Sequence, residues 1–236
     1  MATEMVFKRV EKKYLIDKET YDAFIKEINP YMQMDQYGLH TICNIYFDTN
    51  DNDLVSRSID KPVYKEKIRL RCYGTPSKES TSFIEIKKKY KGIVYKRREA
   101  YSYDEAKNFM LGKVHPLNNS QITKEIDYFL DFYNPVAKLY LAYDREAFFS
   151  TNEDMVRMTI DRNIRYREDN IDMINGDYGE RLFDEDLRLL EIKVADAFPL
   201  WLTSILTRLK IYPTSFSKYG NIYKKCNSER RNDNVV

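Results

Sequence analysis

Charged and apolar residues alternate through three consecutive segments of this chain, and this period of two restricts the fold more than any other feature. In the first segment the cations Lys67, Arg69 and Arg71 alternate with apolar residues. Successive side chains of a strand face opposite sides of a sheet. The pattern therefore predicts a meander of antiparallel strands with one polar and one apolar face. The three segments are Val63–Tyr73, Thr81–Lys89 and Ile93–Ser102.

The remaining periodicity predicts more strands and a few helices. Further strands are expected at Arg9–Ile16, Thr41–Asp48, Val136–Phe148, Met155–Ile160 and Leu187–Val194. Helices are expected between Asp17 and Pro30, at Asp104–Leu111, at Ser120–Tyr133 and from Pro199. The stretch TNDND at residues 49–53 indicates a turn. No composition shift marks a linker, so we expect one α+β domain over residues 1–236, built on a large antiparallel sheet.

Charge is strongly segregated along the chain. Residues 61–98 contain thirteen Lys and Arg against three Glu, whereas the totals for the chain are 39 basic and 37 acidic residues. One interpretation is an ordinary solvated sheet face. Solvated faces usually mix signs, however, and like charges on adjacent strands are destabilising. The crowding therefore favours a bound polyanion, and a dense compact face suits an oligophosphate better than the spaced bases of a nucleic acid.

Other residue counts exclude several classes of protein. No apolar run approaches the roughly 18 residues of a membrane span, and residues 1–13 lack a hydrophobic leader, so we expect a cytoplasmic protein. The three cysteines form no CxxC pair, which argues against a disulfide framework or a cysteine zinc site. The histidines are His40 and His115, which lie too far apart in sequence for an HExxH site. No glycine-rich phosphate loop occurs among the seven glycines, so side chains would have to bind phosphate.

The same alternation selects candidate site residues on several strands. Lys67, Arg69 and Arg71 share one face, and other in-step groups are Glu85 with Lys87 and Lys89, Arg157 with Thr159 and Asp161, Glu191 with Lys193, and Arg9 with Glu11 and Lys13. The carboxylates in these rows, Glu11, Glu85 and Glu191, could hold a divalent metal or orient the neighbouring cations. Strand register decides which of Lys96, Arg97 and Arg98 joins the basic side.

Nine motifs, in order along nearly the whole chain, resemble the polyphosphate polymerase domain of the vacuolar transporter chaperone family, a branch of the triphosphate tunnel superfamily. They are RVEKKYLI at 9–16, IYFDT at 45–49, VYKEKIRLRCY at 63–73, FIEIKKK at 83–89, VYKRR at 94–98, YDREAF at 143–148, RMTIDRNI at 157–164, LEIKV at 190–194 and FSKYG at 216–220. Each motif is weak alone, but nine in register are specific.

The resemblance implies an antiparallel β-barrel tunnel with flanking helices. It also implies transfer of the γ-phosphate of ATP to a growing polyphosphate chain with a divalent metal, typically Mn²⁺ and alternatively Mg²⁺. The implied partners are ATP and polyphosphate or pyrophosphate, with no nucleic acid. No membrane insertion is expected, and coupling to export would need a separate membrane-protein partner.

By motif position, the resemblance implies roles for individual residues. The expected catalytic set is Lys13, Arg69, Arg71, Lys87, Arg145 and Arg157. The expected substrate-binding set is Lys67, Lys89, Lys96, Arg98, Lys193, Ser217 and Lys218. The expected metal ligands are Glu191, Glu11 and Glu85.

Two positions depart from the family pattern. Arg9 stands where hydrolytic relatives carry the first Glu of Glu-x-Glu-x-Lys, which favours phosphotransfer over hydrolysis. Ser215 stands where members that synthesise polyphosphate often carry Lys, which leaves fewer cations there. The alternatives are a tripolyphosphatase or nucleoside triphosphatase of the same fold, a non-catalytic module that binds polyphosphate or inositol phosphates, and a structural domain with solvated strands.

Overall fold

Ten strands and six α-helices form within residues 10–114, 118–151, 155–183 and 185–233, which are the residues that the computed structural model describes. The strands are β1 (Val10–Ile16), β2 (Met32–Met34), β3 (His40–Asp48), β4 (Tyr64–Tyr73), β5 (Thr81–Tyr90), β6 (Ile93–Ser102), β7 (Val136–Ser150), β8 (Arg157–Arg167), β9 (Glu180–Arg181) and β10 (Arg188–Val194). The helices are α1 (Lys18–Ile28), α2 (Asp53–Ile59), α3 (Tyr103–Met110), α4 (Gln121–Tyr133), α5 (Leu200–Arg208) and α6 (Lys218–Asp233).

The predicted helix ends form for the expected local reasons. Asp17 accepts a hydrogen bond from the backbone N–H of Thr20 at 2.7 Å and so caps α1. Ser120 caps α4 in the same way, and Asn134 ends that helix in the left-handed conformation. None of the helices within the described ranges combines the length and apolar character needed to cross a bilayer.

The chain divides into two compact units. The first unit contains the described residues of 1–40, 143–164 and 183–216, and the second contains those of 41–142, 165–182 and 217–236. Strand β7 begins in the second unit and ends in the first, whereas β8 begins in the first and ends in the second.

In the first unit the strand order is β1-β10-β8-β7, with β2 paired to the end of β7. The β1–β10 and β10–β8 pairs are antiparallel. Helices α1 and α5 contribute Phe24, Ile28 and Leu202 to a core shared with Ile160 and Ile192 of the strands. Burial of each such side chain stabilises the unit by about 1.5–3 kcal/mol.

In the second unit the strand order is β7-β3-β4-β5-β6, and β9 pairs with the end of β8. The apolar face of the predicted meander is fully buried, with Ile68, Leu70, Ile84 and Ile86 at most 1% exposed. Helices α3 and α4 add Phe109 and Phe129 to that core. The opposite face of the same strands remains for the charged rows.

Several elements differ from the sequence-based expectations, including the short strands β2 and β9, which were not predicted. Helix α2 forms directly after the expected turn, because the Asp48 carboxylate accepts hydrogen bonds from the N–H groups of Leu54 and Val55 at 2.8 and 2.9 Å. Strand β8 continues to Arg167, beyond the expected end at residue 160. Helix α6 was not predicted, since its largely polar sequence lacks a clear apolar stripe.

Candidate functional site

Register in the second unit aligns cations across three adjacent strands. Lys67 of β4 lies directly opposite Lys87 of β5, which lies directly opposite Lys96 of β6. In the next row, Arg69 of β4 lies opposite Glu85 of β5, which lies opposite Arg98 of β6. We call this surface the basic face; its cations are Lys67, Arg69, Arg71, Lys87, Lys89, Lys96 and Arg98.

The carboxylate of Glu85 lies at the centre of the basic face and is 2% exposed. Arg69 donates to its Oε2 from Nε at 2.8 Å and from Nη2 at 2.6 Å. Lys96 Nζ lies 2.7 Å from Oε1, and Arg71 Nη1 lies 3.8 Å from Oε2. Burial alone would raise the pKa of Glu85, but these three cations hold it well below its usual range. Glu85 is therefore an anion that fixes the positions of three cations.

Arg71 and Lys67 are each held by a polar side chain outside their own strand. The buried Arg71 donates from Nε to Asn44 Oδ1 at 3.0 Å, and the Asn44 amide donates to the carbonyl of Leu141 at 3.0 Å. Lys67 Nζ donates to Ser217 Oγ at 3.2 Å. Ser217 immediately precedes Lys218, the first residue of α6.

Register also decides among the three consecutive cations of β6. Lys96 and Arg98 lie opposite Lys87 and Glu85 and so belong to the basic face. Arg97 lies on the other face, where its Nη1 is 3.2 Å from the carboxylate of Glu125 on α4. Partial burial beside Arg71 and Arg69 lowers the pKa of Lys96 to about 8, although Glu85 opposes the shift.

Lys87 and Lys88 are adjacent in sequence, and their side chains lie on opposite faces of the sheet. Lys87 occupies the cation row of the basic face. Lys88 lies on the opposite face of the sheet, which packs against α3 and α4 and is called the helix side. Its Nζ is 2.7 Å from Glu125 and 3.9 Å from Glu66. Lys89, the next residue of β5, lies on the basic face and is exposed.

The first unit carries a second polar cluster, on β1, β10 and β8, and this cluster contains both cations and carboxylates. Lys13 lies directly opposite Glu191, which lies directly opposite Thr159. Lys13 Nζ is 3.5 Å from Glu191 Oε2 and 3.6 Å from Glu11 Oε1. The neighbouring row consists of Glu11, Lys193 and Arg157. Lys193 also forms an ion pair with Glu191.

Arg145 of β7 is fixed by a two-pronged ion pair in the first unit. Its Nε and Nη2 donate to the two carboxylate oxygens of the fully buried Asp161 at 2.6 and 2.8 Å. Burial alone would lower the pKa of Arg145, but Asp161 raises it well above its usual value. Arg145 is therefore a permanent cation in a set orientation.

The acidic side chains differ in whether they could act as metal ligands. Among the residues that the structure describes, no group of three or more His, Cys, Asp and Glu side chains forms a metal cluster. Glu11 and Glu191 both form ion pairs with Lys13. The hydroxyl of Thr159, beside Glu191, is buried and has no hydrogen-bond partner within the described ranges. Two carboxylates and an orphaned hydroxyl fit a hard cation whose other ligands come from phosphate oxygens. Arg9 and His115 lie outside the described residues.

Sequence reasoning did not single out two polar residues that contact the basic face, Asn44 and Tyr46. They lie opposite Arg71 and Arg69 on β3. The signal was present, because Asn44, Tyr46 and Asp48 alternate with apolar residues in the predicted strand. Their neutral side chains hid them from an argument based on charge.

Comparisons with known proteins agree with this architecture. A family model described as the VTC domain matches residues 8–227. A comparison with curated protein sequences finds no significant match. Among solved structures, the chain is similar to a candidate adenylate cyclase from Bacillus halodurans, with 15% identity, a TM-score of 0.54 and coverage of 89% of this chain and 93% of that one.

A second solved structure shows the same likeness. It is HpAC1 from Hippeastrum, described as a candidate adenylyl cyclase with a dominant triphosphatase activity. It has 15% identity, a TM-score of 0.53 and coverage of 92% of this chain and 96% of that one. At this identity the likeness concerns the fold, and it confirms the expected fold class: an α+β triphosphate tunnel fold with an antiparallel sheet and flanking helices.

Proposed function

The chain belongs to the VTC domain family, and from that premise we propose that it is a metal-dependent polyphosphate polymerase. Its reaction would transfer the γ-phosphate of ATP to the end of a polyphosphate chain. The resemblance of its motifs to the polyphosphate polymerase domain of vacuolar transporter chaperones supports the choice of reaction. The cytoplasmic location stays a prediction.

One observation carries the proposal: three lysines, Lys67, Lys87 and Lys96, lie directly opposite one another across adjacent strands. Like charges in this arrangement destabilise a sheet. A bound phosphate chain reverses the sign of that effect, because each charge-assisted hydrogen bond contributes roughly 1.5–3 kcal/mol. The row therefore suits a ligand with several closely spaced negative charges.

Phosphoryl transfer needs no protein nucleophile, since positioning and electrostatic stabilisation supply most of the catalysis. We propose that the basic face holds phosphate oxygens and that Glu85 orients Arg69, Arg71 and Lys96 toward them. A terminal oxygen of the acceptor chain attacks the γ-phosphorus, the bond from that phosphorus to the β–γ bridging oxygen breaks, and ADP leaves. The cations offset the charge that spreads over the three equatorial oxygens.

In the first unit we propose that Glu191, with Glu11 and the Thr159 hydroxyl, holds the divalent metal. Such an ion, Mn²⁺ or Mg²⁺, would neutralise phosphate charge when bound. Lys13 and Lys193 keep Glu191 in place through their ion pairs. Arg145 and Arg157 are the proposed phosphate ligands of this unit.

The second candidate is a tripolyphosphatase, in which water replaces the acceptor chain. The fold likeness to HpAC1, itself described with a triphosphatase activity, favours this alternative over the others. The two reactions differ in their product: orthophosphate for hydrolysis, and a lengthened chain with ADP for the polymerase.

Product analysis tests the proposal. Purified protein is incubated with ATP, Mn²⁺ and a tripolyphosphate primer, and chain length, ADP and orthophosphate are measured. We expect chain growth with stoichiometric ADP. Orthophosphate as the main product would select the hydrolase, and binding of tripolyphosphate without turnover would select a non-catalytic module.

Adjacent lysines provide a matched pair of variants. We expect Lys87→Ala to lower tripolyphosphate affinity about 10- to 100-fold, since it removes one charged hydrogen bond. Lys88→Ala should leave that affinity unchanged, because Lys88 lies on the helix side. Glu191→Ala should remove turnover while retaining affinity for metal-free tripolyphosphate. Equal effects of the two lysine variants would contradict the assignment of the basic face.

A further inference from the structure

The Arg69 row of the basic face ends at β3 in a tyrosine. Tyr46 lies directly opposite Arg69, and its side chain is only 8% exposed. Its hydroxyl oxygen accepts a hydrogen bond from Arg69 Nη1 at 2.8 Å. The phenol is therefore part of the same polar row as Arg69 and Glu85.

The ring of Tyr46 is held from two sides. The ring of Tyr219, on α6, packs against it with centroids 5.0 Å apart and planes tilted by 33°. The Tyr219 hydroxyl is itself engaged, because it donates to Asp48 Oδ2 at 3.0 Å. The guanidinium carbon of Arg69 lies 5.7 Å from the Tyr46 ring centroid. These contacts fix where the Tyr46 hydroxyl lies.

The hydrogen of that hydroxyl has no acceptor among the residues that the structure describes. A phenol can both accept and donate a hydrogen bond. The accepting function of Tyr46 is used by Arg69, and its donating function is not used by any protein group in the described ranges. Buried donors are usually satisfied, so a group that remains unsatisfied in a cationic surface points to a ligand that carries acceptors.

We propose that the Tyr46 hydroxyl donates a hydrogen bond to a phosphate oxygen of the bound chain, and so acts as a neutral phosphate-binding residue within the basic face. This inference rests on the proposed function, since it assigns a contact within the same phosphate-binding surface. Arg69 then links two groups: it is oriented by Glu85 and in turn fixes the phenol.

The charges around Tyr46 make this contact dependent on pH. Burial alone would raise the pKa of Tyr46, but Arg69, Arg71 and Lys67 of β4 lower it to about 8. Glu85 of β5 neutralises part of that field, and Tyr219 and Asp48 are paired with each other. A phenolate has no hydrogen to donate and repels phosphate. A bound phosphate chain would favour the neutral phenol and raise its pKa.

The first test is the affinity of metal-free protein for tripolyphosphate, measured by calorimetry. Tyr46→Phe keeps the ring and removes the hydroxyl, and we expect it to weaken binding about 10- to 100-fold. Tyr133→Phe is the control, because the Tyr133 hydroxyl donates to Glu66 on the helix side of the sheet. That variant should bind as the wild type does.

The second test separates contact with the ligand from an indirect effect through Arg69. The difference in tyrosinate absorbance between wild type and Tyr46→Phe reports the ionisation of Tyr46 alone. Tripolyphosphate should move this ionisation to higher pH by about one unit or more, equivalent to about a tenfold binding preference for the neutral phenol.

The outcomes distinguish the inference from the proposed function. Weaker binding by Tyr46→Phe together with the ligand-induced shift supports the contact. Unchanged affinity, or weaker binding without the shift, overturns it while leaving the proposed function intact. Failure of the wild type to bind tripolyphosphate overturns both.

Discussion

Replacement of Glu85 by Gln tests whether this carboxylate organises the basic face. The substitution removes the negative charge that faces Arg69, Arg71 and Lys96 but keeps the size of the side chain. Breaking a buried ion pair costs about 3–5 kcal/mol. We expect about 3 kcal/mol, the lower end, because the Lys96 side chain is 45% exposed and partly screened. For a chain of this length, that loss lowers Tm by roughly 6–12 °C.

Urea unfolding of Glu85→Gln gives the free energy, and thermal unfolding with and without tripolyphosphate gives the second readout. The uncompensated cations of the variant should gain more from the polyanion, so its Tm should rise more than that of the wild type. Glu19→Gln, an exposed change on α1, is the control and should alter stability by less than about 0.5 kcal/mol. A stable Glu85→Gln protein that instead loses Mn²⁺-dependent binding would refute the reasoning, because Glu85 would then act as a metal ligand.

The carboxylate of Glu85 also predicts an acid dependence. Its pKa in the folded protein is lower than in the unfolded chain, so its stabilising effect is complete above the unfolded value and is lost as pH falls toward the folded value. The wild type should therefore lose its advantage over Glu85→Gln below about pH 4. A stability difference that stays constant through acidic pH would contradict this linkage.

Two further changes address other contacts. Lys96, whose pKa is lowered to about 8, should become neutral as pH rises through that value, so wild-type affinity for tripolyphosphate should fall there. The Lys96→Arg variant should retain more affinity than the wild type at high pH, because Arg stays charged, although ionisation of Tyr46 still lowers affinity in both proteins. Identical pH profiles of affinity for the variant and the wild type, measured by calorimetry, would contradict this prediction. Asp48→Asn replaces one acceptor oxygen that receives the Val55 N–H and Tyr219 hydroxyl with a donor, and should cost about 3 kcal/mol in urea unfolding; a loss below about 1 kcal/mol would argue against this capping role.

Local patterns predicted most of the strands because polar and apolar residues alternate along them. The alternation of Lys67, Ile68 and Arg69 required a strand with opposite faces, and the core at Ile68 and Ile86 matches it. Helices α1 and α4 were predictable from their caps and spacing. Helix α2 was not, since the N–H groups of Leu54 and Val55 in its first turn are satisfied by Asp48, which belongs to the preceding strand.

The sequence by itself determined that cations are concentrated on one side of a β-meander and that the motifs resemble those of polyphosphate polymerases. Only tertiary structure decided which cations act together, because strand register is a property of pairs of strands. Register places Lys96 and Arg98 on the basic face and Arg97 on the opposite face, where it forms an ion pair with Glu125. The pairing of β3 with β4 also places Tyr46 and Asn44 beside the cations of this surface. Because these side chains are neutral, their role could be recognised only from these long-range contacts.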